Sequence, residues 1–193
     1  MRNLIVSMQQ TLNGFGTDPG DRMEWVRISA QTWEFTHWIH QTCDAVVLGR
    51  KMYEDFLGFW PEAAEDASDT DLARHARWFR DVQKYVVSST LAEADPAWPR
   101  TEILGGVEQI KPIKEQDGKN LVIFGGIDVL NSFAEADLID DYHLHVNPST
   151  IPAGRPLIHT GVDLDLAAVQ THKTGTVVLH YTRSRNGEAR PGS

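Results

Sequence analysis

Apolar residues along this chain fall into short unbroken runs separated by stretches of helical period. Leu4-Ile5-Val6, Ala45-Val46-Val47-Leu48, Tyr85-Val86-Val87 and Leu121-Val122-Ile123-Phe124 are continuous and rich in β-branched residues, which predicts strands buried on both faces. Residues 26–42 contain neither Gly nor Pro, and Val26, Ala30 and Trp33, then Phe35, Trp38 and Ile39, recur at helical spacings. A helix is predicted there, its first turn following Asp21 and Glu24 as a helix dipole favours. Further helices are predicted from Arg50, at the end of the acidic-then-mixed stretch 62–80, over 107–116 with a kink or division at Pro112, and from Ile127, where Leu130, Phe133 and Ala134 keep the period. Residues 101–104 read as a short strand and 138–148 as an alternating one. Two late strands are expected at 164–170 and 175–182, and the polar residues 184–193 as a frayed tail. Strands alternating with helices make an α/β domain with a mainly parallel sheet.

Three of these strands end in residues suited to an anion. After Phe124 come Gly125 and Gly126, then the helix from Ile127. Glycines let backbone N–H groups approach a ligand closely, and a helix N-terminus adds partial positive charge. The same pair reads equally as a plain connecting turn. After Leu48 come Gly49, Arg50 and Lys51, a second strand-to-helix junction with a guanidinium able to grip phosphate or simply to face solvent. After Val87 come Ser88, Ser89 and Thr90, hydroxyls that bind phosphate or ribose oxygens or cap a turn. Parallel sheets bind ligands at the carboxyl ends of their strands, so the three loops suit one extended phosphorylated molecule. Neither a G-x-G-x-x-G fingerprint nor a P-loop is present.

Composition narrows the partners. The 193 residues carry a net charge of −9 with pI about 5.3, which argues against nucleic acid. One cysteine, Cys43, excludes an internal disulfide and any multi-cysteine zinc site. It is expected as a small buried thiol at a helix end or strand start. No stretch reaches membrane-spanning length and the first apolar run is short for a signal peptide, so a cytoplasmic protein is expected. His37 and His40, and His143 and His145, are spaced to share a face, but neither pair has a clear third ligand, and no metal is expected.

The blocks TLNGF, DAVVLGRKMYEDFLGFWP, KYVVSSTL, NLVIFGGIDVLNSF and LIDDYHLHVNP together resemble the dihydrofolate-reductase-like superfamily. The nearest resemblance is to the C-terminal reductase domain of the bacterial riboflavin-pathway deaminase–reductase, RibD, and its stand-alone members, over about residues 1–183. The resemblance implies a three-layer αβα domain, its central sheet mostly parallel with an antiparallel C-terminal edge. It implies an NADPH-dependent reductase of a small heterocycle, similar to 5-amino-6-(5-phosphoribosylamino)uracil reductase, with a dihydrofolate reductase or a non-catalytic NADPH-binding protein as alternatives. It places Gly49, Arg50 and Lys51 at the cofactor phosphates, and Ser88, Ser89 and Thr90 at the 2′-phosphate. Phe124, Gly125, Gly126 and Ile127 fall at the pyrophosphate, with a cis bond between the two glycines. Asn13 and Gly14 fall in the substrate-side loop, and Glu34 at the carboxylate near the substrate ring, as acid or anchor. Relatives also imply a homodimer through the late strands. The zinc deaminase signature of the riboflavin enzymes is missing here, which separates this chain from a dedicated riboflavin role.

Overall fold

Strand and helix alternate through the computed structural model, which describes residues 1–184. In chain order the elements are β1 (Leu4–Thr11), β2 (Phe15–Thr17), α1 (Ala30–Thr42), β3 (Cys43–Gly49), α2 (Arg50–Leu57), α3 (Trp60–Ala63), α4 (Asp71–Asp81), β4 (Gln83–Val87) and β5 (Thr101–Leu104). Then follow α5 (Ile110–Glu115), β6 (Asn120–Gly125), α6 (Ile127–Glu135), β7 (Asp141–Asn147), β8 (Arg155–Pro156), β9 (Leu164–Thr171) and β10 (Val177–Arg183). Of the expected tail, only Ser184 is among the described residues; the rest lies outside them.

Eight strands form one sheet in the order β5-β4-β3-β6-β1-β7-β10-β9. Every pairing from β5 to β7 is parallel, and β10 runs antiparallel to both its neighbours. Successive residues of the central strands feed two cores. Leu4, Val6, Val47 and Ile123 pack toward α5 and α6 with Ile113, Leu130 and Phe133. Ile5, Val46, Leu48 and Val122 pack toward α1, α2 and α4 with Ile39, Tyr53 and Phe79. Burial on both faces explains the unbroken apolar runs.

Local chemistry moves several boundaries. α1 starts at Ala30, four residues later than the spacing predicts. Ser29 caps it, accepting from the Thr32 N–H while Thr32 Oγ1 accepts from the Ser29 N–H, a reciprocal capping box. Its first turn carries no acidic residue, so Asp21 and Glu24 lie outside the helix. The 107–116 segment splits between Gln109 and Ile110 into a 3-10 turn at Val107–Gln109 and the short α5, which carries Pro112 in its first turn, where a missing N–H is tolerated. Cys43 is buried at the α1–β3 junction. The short strands β2 and β8 pair in a separate antiparallel ribbon.

The amino-end rim of the sheet is stapled by its own side chains. Lys114 Nζ donates to Asp140 Oδ2 at 2.5 Å and to the Leu138 carbonyl at 2.8 Å, and Asp140 also accepts from the Leu4 N–H. Arg2 pairs with Asp44 and donates to the Lys119 carbonyl. Lys84, fully buried, donates to the carbonyls of Phe79, Arg80 and Val82 at 3.0, 2.9 and 2.7 Å, closing the end of α4.

Candidate functional site

The carboxyl-end rim is built differently. β4, β3 and β6 lie side by side there, with Gly49 opposite Val87 and Leu48 opposite Gly125. The loops beginning at Gly49, Ser88 and Gly125 therefore meet on one edge. α2 and α6 both begin behind a glycine, Gly49 and Gly126, with no side-chain cap. Their first N–H groups lack intrahelical acceptors. The two starts are neighbours: a Cβ placed on Gly126 would meet Gly49 N at 3.6 Å.

The Gly125–Gly126 bond is trans, since no cis peptide occurs among the described residues, and this corrects the cis expectation. The reversal is taken up by Gly126 itself, at φ 90° and ψ 96°, a conformation open to glycine.

Next to this edge lies a cleft of about 350 Å³. Ser7, Met8 and Gln9 of β1 form its floor, Thr32, Trp33 and Thr36 of α1 one wall, and Met52, Phe124, Gly125, Gly126 and Ile127 the side toward the glycine loops. Two buried histidines also line it. His145 is 2% exposed, its Nε2 3.5 Å from Ser7 Oγ and its Nδ1 without a partner. His75 is 8% exposed and packs edge-on against Trp60 and Phe124. Burial pulls His145 down to about 4 and His75 to about 3, with neighbouring histidines adding to it. Both rings are neutral at pH 7.

Charge is confined to the mouth. Lys51 Nζ holds Asp21 at 2.8 Å, and Arg155, brought in by β8, holds Asp128 at 2.5 Å and lies 3.7 Å from Asp21. The lysine hydrogen bond keeps the Asp21 carboxyl below the ordinary carboxylate range, and Asp21 raises Lys51 in return. Among the described residues, the carboxylates lining the cleft, Asp21, Asp55 and Asp128, are all exposed.

The residues singled out from sequence divide by position. Lys51, Phe124, Gly125, Gly126 and Ile127 line the cleft, and Gly49 lies directly behind it. Arg50 is exposed and paired with Glu54 at 3.1 Å. Ser88 Oγ caps its own turn, accepting from the N–H groups of Thr90 and Leu91, while Ser89 and Thr90 are exposed on the rim beyond the cleft. Asn13 and Gly14 sit one step back. The Asn13 amide pairs with the backbone of Ile151, Gly14 turns at φ 84°, and the cleft is reached by Gly16 and Thr17 instead.

Glu34 is not in the cleft. It is exposed and lines a second hollow with Phe35, Trp38 and His143. A helix turns about 100° per residue, so when Thr32, Trp33 and Thr36 face the cleft, Glu34 points round the axis. Arg155, Asp21, His75 and His145 were missed. Only His145 carried a signal, as a polar residue within the apolar run 142–146, whereas His75 lies between Arg74 and Arg77 in a charged stretch. Among the described residues no cluster of three or more metal-ligating side chains occurs, and no helix is long and apolar enough to cross a membrane.

The family model for the RibD C-terminal domain matches residues 2–179. The Bacillus subtilis (strain 168) protein YyaP is 25% identical over 187 residues, covering 93% of this chain and 94% of that one. Among solved structures, the Thermotoga maritima diaminohydroxyphosphoribosylaminopyrimidine deaminase/5-amino-6-(5-phosphoribosylamino)uracil reductase superposes with a TM-score of 0.67 at 14% identity, over 95% of this chain and 57% of that one. The Enterococcus faecalis dihydrofolate reductase complexed with NADP(H) gives 0.62 at 14% identity, over 94% and 96%. The fold is dihydrofolate-reductase-like, and the chain belongs to the RibD C-terminal domain family, a family of reductase domains.

Proposed function

We propose that this protein is an NADPH-dependent reductase of a small heterocycle related to the pyrimidine of the riboflavin pathway. The observation that carries the reading is the convergence of three strand ends on one rim, with two neighbouring, uncapped glycine-led helix starts beside a cleft. Those starts suit a pyrophosphate. The residues that would hold the dinucleotide are the backbone of 49–51 and 125–127, with Ser88, Ser89 and Thr90 at the 2′-phosphate. Bound there, it would supply hydride to the cleft. The cleft volume suits a small ring system.

The polar lining points to an uncharged ring at the reacting end of the substrate. Thr32, Thr36, Gln9, Ser7 and the two neutral histidines face inward, whereas carboxylate stays at the mouth. A 2-aminopteridine edge pairs best with a buried carboxylate, which favours the pyrimidine reading over dihydrofolate. Trp33 and Trp60 line the cleft, so quenching of tryptophan fluorescence reports binding. Tight binding of NADPH over NADH is expected, then NADPH oxidation with the phosphoribosylamino-pyrimidine and not with dihydrofolate. Equal, weak binding of both nucleotides would overturn the reading.

A further inference from the structure

His75 is unusual among the cleft's polar groups because its other side is also engaged. Its Nδ1 lies 2.8 Å from His40 Nε2, with the ring planes 9° apart, the in-plane geometry of a good hydrogen bond. Its Nε2 has no protein partner, yet is not sealed from solvent, and the ring lines the cleft. His40 is half-buried and stacked on Trp78 at 4.5 Å. Beyond it His37 lies 5.8 Å away, ring to ring, with Nε2 3.3 Å from the Asp71 carboxylate. Among the described residues, the hydrogen-bonded path to the cleft wall is the His40–His75 pair alone, since His37 Nε2 makes no hydrogen bond.

Resting on the reductase reading above, we propose that His75 donates the proton that completes reduction of the substrate, and that His40 replaces that proton. In the resting pair, His40 Nε2–H donates to His75 Nδ1, which leaves the His75 proton on Nε2, facing the cleft. When hydride adds to the carbon of a C=N or C=O bond, that bond's electron pair moves to the heteroatom. The heteroatom takes the proton from His75 Nε2, the N–H bond electrons staying on the ring. His75 Nδ1 takes the proton of His40 Nε2, and His40 Nδ1 takes one from solvent. The substrate double bond is reduced, and each imidazole ends neutral with its proton on Nδ1. A proton from water in the emptied cleft then returns to His75 Nε2, His75 Nδ1–H passes its proton back to His40 Nε2, and His40 Nδ1 releases one to solvent.

The surroundings favour transfer through neutral rings. Burial and neighbouring histidines hold His40 at about 4 and His75 at about 3, so a single imidazolium acid would be scarce at neutral pH. The titratable neighbours that bear on the pair are His37 of α1, whose Nε2 lies 3.3 Å from Asp71 of α4, itself held by Arg74 at 2.5 Å. Glu34 of α1 lines the second hollow, and Arg77, Arg80 and Asp81 of α4 bond elsewhere. The residues that α3 and β6 set against His75, Trp60 and Phe124, are apolar rings.

The test uses the full chain with 15N-labelled histidine, alone and with NADPH. At pH 7 both rings are expected neutral with the proton on Nε2, and a coupling across His40 Nε2–H to His75 Nδ1. His75→Phe, which preserves the aromatic packing, should bind NADPH within twofold of wild type and lose at least 100-fold in kcat. His40→Gln keeps an N–H donor to His75 Nδ1 but cannot pass a proton on. It should lower kcat about tenfold and change the solvent isotope effect. A His75 proton found on Nδ1, either ring titrating near pH 6.5, or His75→Phe turning over within threefold of wild type each overturns the assignment while the reductase reading stands. A wild-type protein that binds no NADPH removes both.

Discussion

Gly126 offers the sharpest test of how the rim is built. Its φ of 90° and ψ of 96° lie where side chains are strained. A Cβ there would meet Val129 Cβ at 3.5 Å and Gly49 N at 3.6 Å, ordinary contacts, so strain and not collision sets the cost. Gly126→Ala should destabilise the fold by about 1–3 kcal/mol, a fall in Tm of about 2–12 °C at this chain length. If the chain relieves the strain by rotating, the N–H groups ahead of α6 turn away from the anion. Losing one charge-assisted hydrogen bond is worth about 1.5–3 kcal/mol, hence NADPH binding weaker by about 10- to 100-fold. Gly125→Ala is the control. Gly125 lies outside the left-handed region, and its new Cβ would press on Met52 Cε at 2.7 Å, the movable end of a side chain. It should cost less stability than Gly126→Ala. Thermal unfolding and fluorescence titration read both. A Gly126→Ala protein within 2 °C and twofold of wild type, by the thresholds those magnitudes set, would refute the reasoning.

Three further outcomes follow from features already described. Lys84→Met keeps volume but leaves three carbonyls at the end of α4 without their donor; a loss of about 3 kcal/mol is expected in urea unfolding, and unchanged stability would show that desolvating the ammonium cancels its bonds. His40, His143 and His145 are held at about 4 and His75 at about 3, mainly by burial. Because the unfolded rings protonate first, near pH 6.5, stability is complete above that value. It falls as the pH drops from 6.5 toward 4, by up to ~1.4 kcal/mol per pH unit for each ring. A denaturation midpoint identical at pH 7 and pH 5 would contradict this. Glu34→Gln should leave NADPH affinity and turnover unchanged, since that carboxylate faces the second hollow; a loss of turnover would return Glu34 to the reaction.

The central sheet was legible because burial on both faces writes itself as unbroken apolar runs, and the rim because glycine and basic residues follow those runs directly. The start of α1 departs from the apolar period that begins at Val26 because the Ser29–Thr32 capping box fixes the first turn at Ala30. The resemblance places Glu34 beside the substrate ring, and a single step of helical phase from Trp33 turns it toward the second hollow. Arg155 could not be foreseen. It reaches the mouth through a two-residue strand, β8, paired with β2, and pairing between such short segments, more than 130 residues apart in the chain, leaves no periodic trace.

The sheet order carries a consequence for how the chain is made. β1, which precedes every other strand in the chain, ends between β6 and β7, in register with Ile123 on one side and Tyr142 on the other. Its Leu-Ile-Val core must wait on the ribosome for partners translated more than a hundred residues later. Contacts so distant in sequence slow folding and leave sticky segments exposed meanwhile, so the strand that joins the two halves of the sheet stays without either neighbour through most of synthesis.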